Sequence, residues 1–150
     1  MKNANQGMTI IVKTTSRIVL WVILLYGIYI ILHGHLSPGG GFGGGVVLAL
    51  GLLSIMLAFG RSFTLRWLKI PFLERLEALA PVLFLAVGLI GMAVGGAFLY
   101  NFLNKGTFFQ LWSSGMIPIL NIVIGFKVGL SLFLVVWALA EWDPGKDGEQ

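Results

Sequence analysis

Four long apolar runs constrain the fold of this chain more than any other feature of its sequence. Each run has about the 20 apolar residues that a helix needs to cross a hydrocarbon core near 30 Å thick. Hydrocarbon offers the backbone no hydrogen-bond partners, so such runs must bond internally as helices. The predicted spans are residues 14–32, 39–59, 79–100 and 116–140, with residues 141–150 as a mobile tail. The sequence thus predicts an all-α integral membrane protein, a single membrane domain over residues 1–150 with four transmembrane helices.

The composition agrees with this class and excludes several chemistries. Hydrophobic residues make up 57% of the chain and charged residues 11%, whereas a soluble domain carries about 25% charged residues. The absence of cysteine from the sequence excludes disulfides, thiolate zinc sites and cysteine-ligated iron–sulfur clusters. We therefore expect no cofactor and no metal site in this chain, and any electron-transfer chemistry would belong to a partner.

The basic residues predict the orientation of the spans in the membrane. Eight of them flank the spans on one side, whereas the opposite side has only Lys105. Basic residues mark the cytoplasmic side, so both termini and the second loop are predicted to be cytoplasmic. The formal net charge of +4 then reflects the orientation of the spans and does not indicate nucleic-acid binding. The eight residues are Lys2, Lys13, Arg17, Arg61, Arg66, Lys69, Arg75 and Lys146.

A glycine-rich segment between the first two spans predicts a tight turn. It begins with His33-Gly34-His35 and contains Pro38, whose ring fixes φ and removes a donor, so that the first helix stops. Small residues four apart on the second and fourth spans predict helix contacts at backbone distance. The residues assigned to the turn and to packing are Pro38, Gly39, Gly40, Gly41, Gly44, Gly45, Gly125 and Gly129. Gly88, Gly91 and Gly95 predict a similar face on the third span.

These residues carry a family resemblance. A Gly-His pair, Pro38-Gly39-Gly40-Gly41-Phe42 and a further Gly-Gly pair, in this order between two apolar helices, resemble the MnhB-type subunit of the Mrp (Mnh) multisubunit sodium/proton antiporters. The same subunit type occurs in archaeal membrane-bound hydrogenase and sulfur-reducing respiratory complexes. The stretches 96–103 and 114–118 are similar to the third loop of that family. The resemblance covers about residues 17–142.

The resemblance implies partners for this chain, and the chain departs from the family pattern at one position. The implied partners are the other Mrp-type subunits, including large pumping subunits related to respiratory complex I, with hydrogenase or sulfur-reductase subunits in the archaeal complexes. Many bacterial members have an acidic residue before a Val-Gly-like pair in the last helix. This chain has Lys127 before Val128-Gly129, so a role for an acidic group there does not carry over.

Lys127 is the strongest candidate for ion chemistry. It lies near the middle of the fourth span, about 20 Å from either surface along the helix, which is too far for its side chain to reach water. A cation at the centre of a membrane helix costs about 2.5–3.5 kcal/mol and generally faces a protein interior or a wet cavity. Two roles remain open: a relay on an ion pathway, or a structural anchor bonded to carbonyls or to a carboxylate.

With the spans placed as above, no acidic residue lies inside any of them. A cation path generally needs carboxylates, so this chain is not expected to be a whole transporter. The charged partner of Lys127, if it has one, is then predicted to belong to another subunit. Glu74 and Glu77 would precede the third span and favour the helix dipole at its beginning.

His33 and His35 are the only histidines and lie at the end of the first span. A metal site would need further ligands, and the sequence has no other histidine and no cysteine to supply them. Histidine titrates near neutral pH and could accept protons at an outer mouth of an ion pathway. The alternative is that both side chains hydrogen-bond the turn to the helix ends.

The sequence therefore predicts a non-catalytic subunit of an Mrp-type sodium/proton antiporter in the cell membrane, packed among other membrane subunits and lipid. One alternative is the same subunit type in the membrane arm of an archaeal redox-driven pump, a hydrogenase or a sulfur reductase. The other is a scaffold that only seals and orients the pumping subunits. The scaffold hypothesis predicts that no single polar residue of this chain affects transport.

Overall fold

A computed structural model describes residues 8–36, 38–103, 106 and 114–141. Within these ranges all the regular secondary structure is α-helix. Four helices are long and apolar enough to cross a membrane, which confirms the predicted fold class. A short helix, α3, joins the second and third of them. The helices are α1 (Ile10–Leu32), α2 (Gly40–Phe59), α3 (Arg61–Trp67), α4 (Ile70–Gly95) and α5 (Ile117–Glu141).

Three of the four spans begin and end close to the predicted positions because glycine and proline mark the ends. α1 ends at Leu32, as predicted, although this is six residues before Pro38, and α2 begins at Gly40, two residues after Pro38. Gly39, with φ of 108°, precedes α2, and Gly60, with φ of 82°, separates α2 from α3. Both conformations exclude most residues with a Cβ atom, so these glycines set the direction of the chain at the two ends of α2.

The prediction for the third span was wrong at both ends. The helix begins at Ile70, nine residues before the predicted start. Pro71 does not interrupt it, because it lies in the first turn of α4, where its missing N–H has no helical partner to lose. The helix ends at Gly95, and Gly96 follows in the left-handed conformation that commonly caps a helix.

The residues after α4 fold back along it. The Leu99 N–H donates to the Gly88 carbonyl at 3.4 Å. A Cβ atom at Gly88 or Gly95 would collide with the rings of Phe98 and Tyr100, respectively. The glycine face of α4 was predicted to pack on another helix, and it accommodates this returning segment instead. Close approach requires small residues for a folded-back loop as well as for a helix.

The helices pack in the order α1, α2, α5, α4, so α2 lies between α1 and α5. Gly44 lies against Ile31 and the Gly27 carbonyl of α1, whereas a Cβ atom at Gly45 would lie 2.6 Å from the Gly125 carbonyl of α5. One cluster of buried side chains joins α2, α4 and α5, with Phe133 fully buried. Its members are Met56, Leu73, Leu130, Phe133 and Trp137.

Candidate functional site

Lys127 on α5 forms an ion pair with Glu77 on α4. The same carboxylate oxygen, Glu77 Oε1, accepts a hydrogen bond of 2.7 Å from the Ser131 hydroxyl. Ser131 follows Lys127 by one helical turn, so both side chains lie on the face of α5 that α4 covers. The structure thus joins a cation, a carboxylate and a hydroxyl across one helix contact.

This pair corrects three predictions from the sequence. An acidic residue does lie inside a membrane-spanning helix, because α4 begins at Ile70 and Glu77 is its eighth residue. Lys127 has a charged partner in this chain, where the sequence predicted one on another subunit. Glu77 also does not cap its own helix, because its carboxylate bonds to side chains of α5.

The ion pair lies well below either end of the two helices. At 1.5 Å per residue, Lys127 is about 15 Å from the Ile117 end of α5 and about 21 Å from the Glu141 end. Glu77 is about 10 Å from the beginning of α4. The side chains of Lys127 and Glu77 are 37% and 25% exposed within this chain. Charges exposed to hydrocarbon are costly, so we expect this face of α4 and α5 to contact water or polar protein and not lipid.

Two cavities adjoin the ion pair. Glu77 and Ser131 line a cavity of about 520 Å³ between the first half of α4 and the last half of α5. All the charged residues that line it are acidic, namely Glu74, Glu77 and Glu141. Lys127 lines a second, apolar cavity of about 250 Å³ with Pro81. The carboxylate and the ammonium group therefore border different cavities, of which the acidic one attracts cations.

Pro81 frees the backbone carbonyl of Glu77 as a second hydrogen-bond acceptor beside its carboxylate. In an α-helix the N–H of residue 81 would donate to the carbonyl of residue 77, and proline has no N–H. Pro81 lies inside α4, so the Glu77 carbonyl loses its usual intrahelical donor. Neighbouring groups or water satisfy such freed carbonyls in membrane helices. Glu77 thus contributes a carboxylate and a freed carbonyl to the same stretch of the membrane interior.

The two histidines lie at the other end of the bundle. His33 follows the last residue of α1, its Nδ1 is 3.1 Å from the Tyr29 carbonyl oxygen, and its ring stacks on Tyr29 at 4.1 Å. His35 is half-buried in the turn that follows. The turn packs on α5 through Asn121, which lies about 9 Å along the helix from Lys127. The structure therefore does not place the three predicted pathway residues in one cluster.

Asn121 was not identified from the sequence. It lies against Gly34, Gly40 and Gly41, and its buried Nδ2 has no hydrogen-bond acceptor among the described residues. Ser131 was also missed, although its spacing from Lys127 on a predicted helix is a readable signal.

Within the described ranges, no group of three histidine or acidic side chains is arranged to hold a metal ion. Pro38 lies exposed in the turn between α1 and α2, whereas Lys105 and the predicted tail beyond Glu141 lie outside the described residues.

Comparison with known proteins decides the family. Residues 11–134 match the sequence profile of a domain related to the MnhB subunit of the Na⁺/H⁺ antiporter. This chain belongs to the MnhB family. The corresponding Na⁺/H⁺ antiporter subunit of Alkalihalophilus pseudofirmus is similar to it, with 30% identity over 143 residues, 93% of this chain and 92% of that protein.

Archaeal proteins are similar to this MnhB-family chain as well. An uncharacterized protein of Methanocaldococcus jannaschii is 42% identical over 118 residues, which cover 73% of this chain. A chain of the membrane-bound sulfane sulfur reductase, an archaeal respiratory membrane complex, matches with a TM-score of 0.74 and 35% identity over 91% of this chain. The present chain spans 45% of the M. jannaschii protein and 62% of the reductase chain.

Proposed function

We propose that this chain is a subunit, without a catalytic site of its own, of a multisubunit Mrp-type sodium/proton antiporter in the cell membrane. In this proposal the Glu77–Lys127 pair lies on the ion pathway of that assembly. One observation carries the proposal: a charged pair inside the membrane-spanning bundle, bordering a cavity whose charged lining is entirely acidic.

The pair supplies the two groups that a membrane interior needs in order to pass a cation. Glu77 offers a carboxylate that a proton or a metal cation can neutralise, and Lys127 offers a positive charge that competes for the same carboxylate. Ser131 keeps the carboxylate oriented when Lys127 moves away, because its hydroxyl bonds to Oε1 independently. Intramembrane ionisable residues of this kind mark ion pathways and proton relays.

The proposal also requires partner subunits. The second cavity, which Lys127 borders, is lined otherwise by apolar residues and proline, so it offers the ion no polar groups beyond the pair. The exposed fractions of Lys127 and Glu77 require a polar cover on the outer face of α4 and α5. We assign both the rest of the path and this cover to other Mrp-type subunits, including the large pumping subunits. With both termini cytoplasmic, the acidic cavity opens toward the cytoplasm.

A second candidate function is supported by the sulfane sulfur reductase match. In that case the same chain would belong to the membrane arm of a redox-driven ion pump, with hydrogenase or sulfur-reductase subunits as partners. The ion pair would have the same role in both assemblies, because the redox chemistry would take place on other chains.

The experiment that tests the proposal is to tag this chain in its native membrane, solubilise it gently and identify the copurifying proteins by mass spectrometry. Recovery of large antiporter subunits with other Mrp-type subunits supports the antiporter. Recovery of hydrogenase or sulfur-reductase subunits as well supports the redox-driven pump. A monomer or a homo-oligomer contradicts both functions.

A further inference from the structure

A third cavity, of about 180 Å³, lies at the end of the bundle where α1 begins and α2 ends. Its wall combines one basic side chain, Arg17, with four aromatic rings from three helices and two aliphatic residues. Trp21 and Trp67 are 67% and 56% exposed, so the cavity opens onto the outer surface of the bundle. The lining residues are Arg17, Leu20, Trp21, Ile55, Phe59, Phe63 and Trp67.

The position of this cavity matches the boundary between hydrocarbon and headgroups. Phe59 is the last residue of α2, and the guanidinium carbon of Arg17 lies 5.4 Å from the centre of the Phe59 ring. Arg17 is therefore at the level where a membrane helix ends. Tryptophan is enriched at this level because its ring is amphipathic, and the cavity contains two of the five tryptophans.

Arg17 is held in place by aromatic rings. The ring of Phe59 contacts its guanidinium, and Phe63 stacks on Phe59 at 4.7 Å. No carboxylate of the described residues pairs with Arg17. A guanidinium on an aromatic ring still has N–H donors in its plane, and their geometry suits a phosphate.

The three helices that line the cavity contain basic residues and no acidic ones. No acidic residue precedes Glu74 in the sequence, so α1, α2 and α3 contain none. Arg66 on α3 and Lys69 shortly after it add positive charge on the side of α3, whereas the acidic residues of this end of the bundle lie on α4 and α5. A basic pocket between membrane helices, lined by aromatic rings at headgroup level, favours an anionic ligand with apolar chains.

We propose that this cavity binds the headgroup of an anionic phospholipid. The phosphate bonds to the Arg17 guanidinium, and the headgroup lies between Trp21 and Trp67. The cavity has room for a headgroup and not for two acyl chains, which then lie along the apolar surface of α1 outside it. This site is independent of the Glu77–Lys127 pair, which lies on α4 and α5.

The test uses photoactivatable phosphatidylglycerol, which is anionic, and photoactivatable phosphatidylcholine, which is zwitterionic. Membranes containing the tagged chain in its own assembly are labelled with one probe, and the labelled peptides of the chain are identified. We expect phosphatidylglycerol to label the segments 17–21 and 63–67 about fivefold more than phosphatidylcholine, the factor that one arginine gives for an anionic headgroup. Arg17→Gln should lower labelling by phosphatidylglycerol to the phosphatidylcholine level.

The matched control is Arg75→Gln, which removes the same charge from α4, outside the cavity, and should leave labelling unchanged. Equal labelling by the two probes in the wild-type chain would overturn the proposal without relying on any variant. Absence of label from both segments would show that protein covers the cavity, which also contradicts it. Excess inorganic phosphate should have no effect, and loss of labelling in phosphate would indicate a site for free anions instead.

Discussion

The two faces of α5 differ in how closely they pack against the neighbouring helices. On one face α5 meets α2 at backbone distance, with Gly45 against Gly125 and Gly41 against Asn121. On the other face α5 meets α4 through the ion pair between Lys127 and Glu77, which borders a cavity of about 520 Å³. The first contact leaves no room for a methyl group, whereas the second leaves room for water.

In our proposal this difference separates helix packing from ion chemistry within one small membrane protein. Without a hydrophobic drive between helices in lipid, small residues allow the close contacts that hold α1, α2 and α5 together. With the fold held there, the α4–α5 contact can retain charges and a cavity, both of which weaken packing. We therefore expect the glycine contact to determine assembly, and in our proposal the charged contact determines function.

The largest effect is expected at the glycine contact. In Gly45→Ala the new Cβ would lie 2.6 Å from the Gly125 carbonyl oxygen, and a backbone atom cannot move aside. Overpacking of this kind costs about 1–3 kcal/mol. The thermal stability of the extracted assembly and the amount of chain in the membrane should both fall.

Gly43→Ala is the matched control, two residues away on α2. Nothing lies within 4 Å of its ideal Cβ position, so the substitution should leave stability unchanged or raise it by up to about 1 kcal/mol. Equal loss of stability in the two variants would show that the α2–α5 contact does not hold the bundle together.

The next largest effect is expected for Lys127→Met and Glu77→Gln. Each substitution removes one member of the pair and leaves the other charge unpaired. Lys127→Met leaves the Glu77 carboxylate alone, and Glu77→Gln leaves the Lys127 ammonium group alone. In our account cation transport by membrane vesicles falls at least about tenfold in both, the factor that 1.4 kcal/mol gives. Some assembly is also lost, because breaking a charged pair destabilises. Lys69→Met, which removes an exposed charge outside the pair, should transport normally.

A smaller effect is expected for Ser131→Ala. The hydroxyl donates to Glu77 Oε1 at 2.7 Å, so the substitution removes one of the two groups that hold this carboxylate oxygen. Because Lys127 still holds the carboxylate, we expect a several-fold loss of transport and normal assembly. Ser54→Ala is the control, since the Ser54 hydroxyl bonds to the Leu50 carbonyl of its own helix. Equal activities in the two variants would exclude a role for Ser131.

The sequence predicted the class of fold and the glycine turn because both depend on local chemistry. Apolar length requires membrane helices, and proline and glycine mark where they stop. The start of α4 was missed because Glu74, Arg75 and Glu77 resemble a loop when charge alone is considered. Pro71 strengthened that error, although a proline in the first turn favours a helix.

The position of Lys127 inside the membrane was predictable, but its partner was not. Glu77 and Lys127 are 50 residues apart, and no local pattern records which face of α4 meets α5. The sequence did contain one signal at Glu77. Pro81 follows it by four residues, and in a helix that includes both residues this proline leaves the Glu77 carbonyl without its intrahelical donor. The lipid site depends in the same way on three helices meeting at Arg17.

The most direct test of our account is cation transport by the double variant Lys127→Met/Glu77→Gln, measured beside each single variant. The double variant has no unpaired charge at the α4–α5 contact, so the assembly should be recovered in wild-type amounts. If the pair lies on the ion pathway, this assembled variant does not transport. Full assembly with wild-type transport would contradict the account and would identify the pair as a structural anchor.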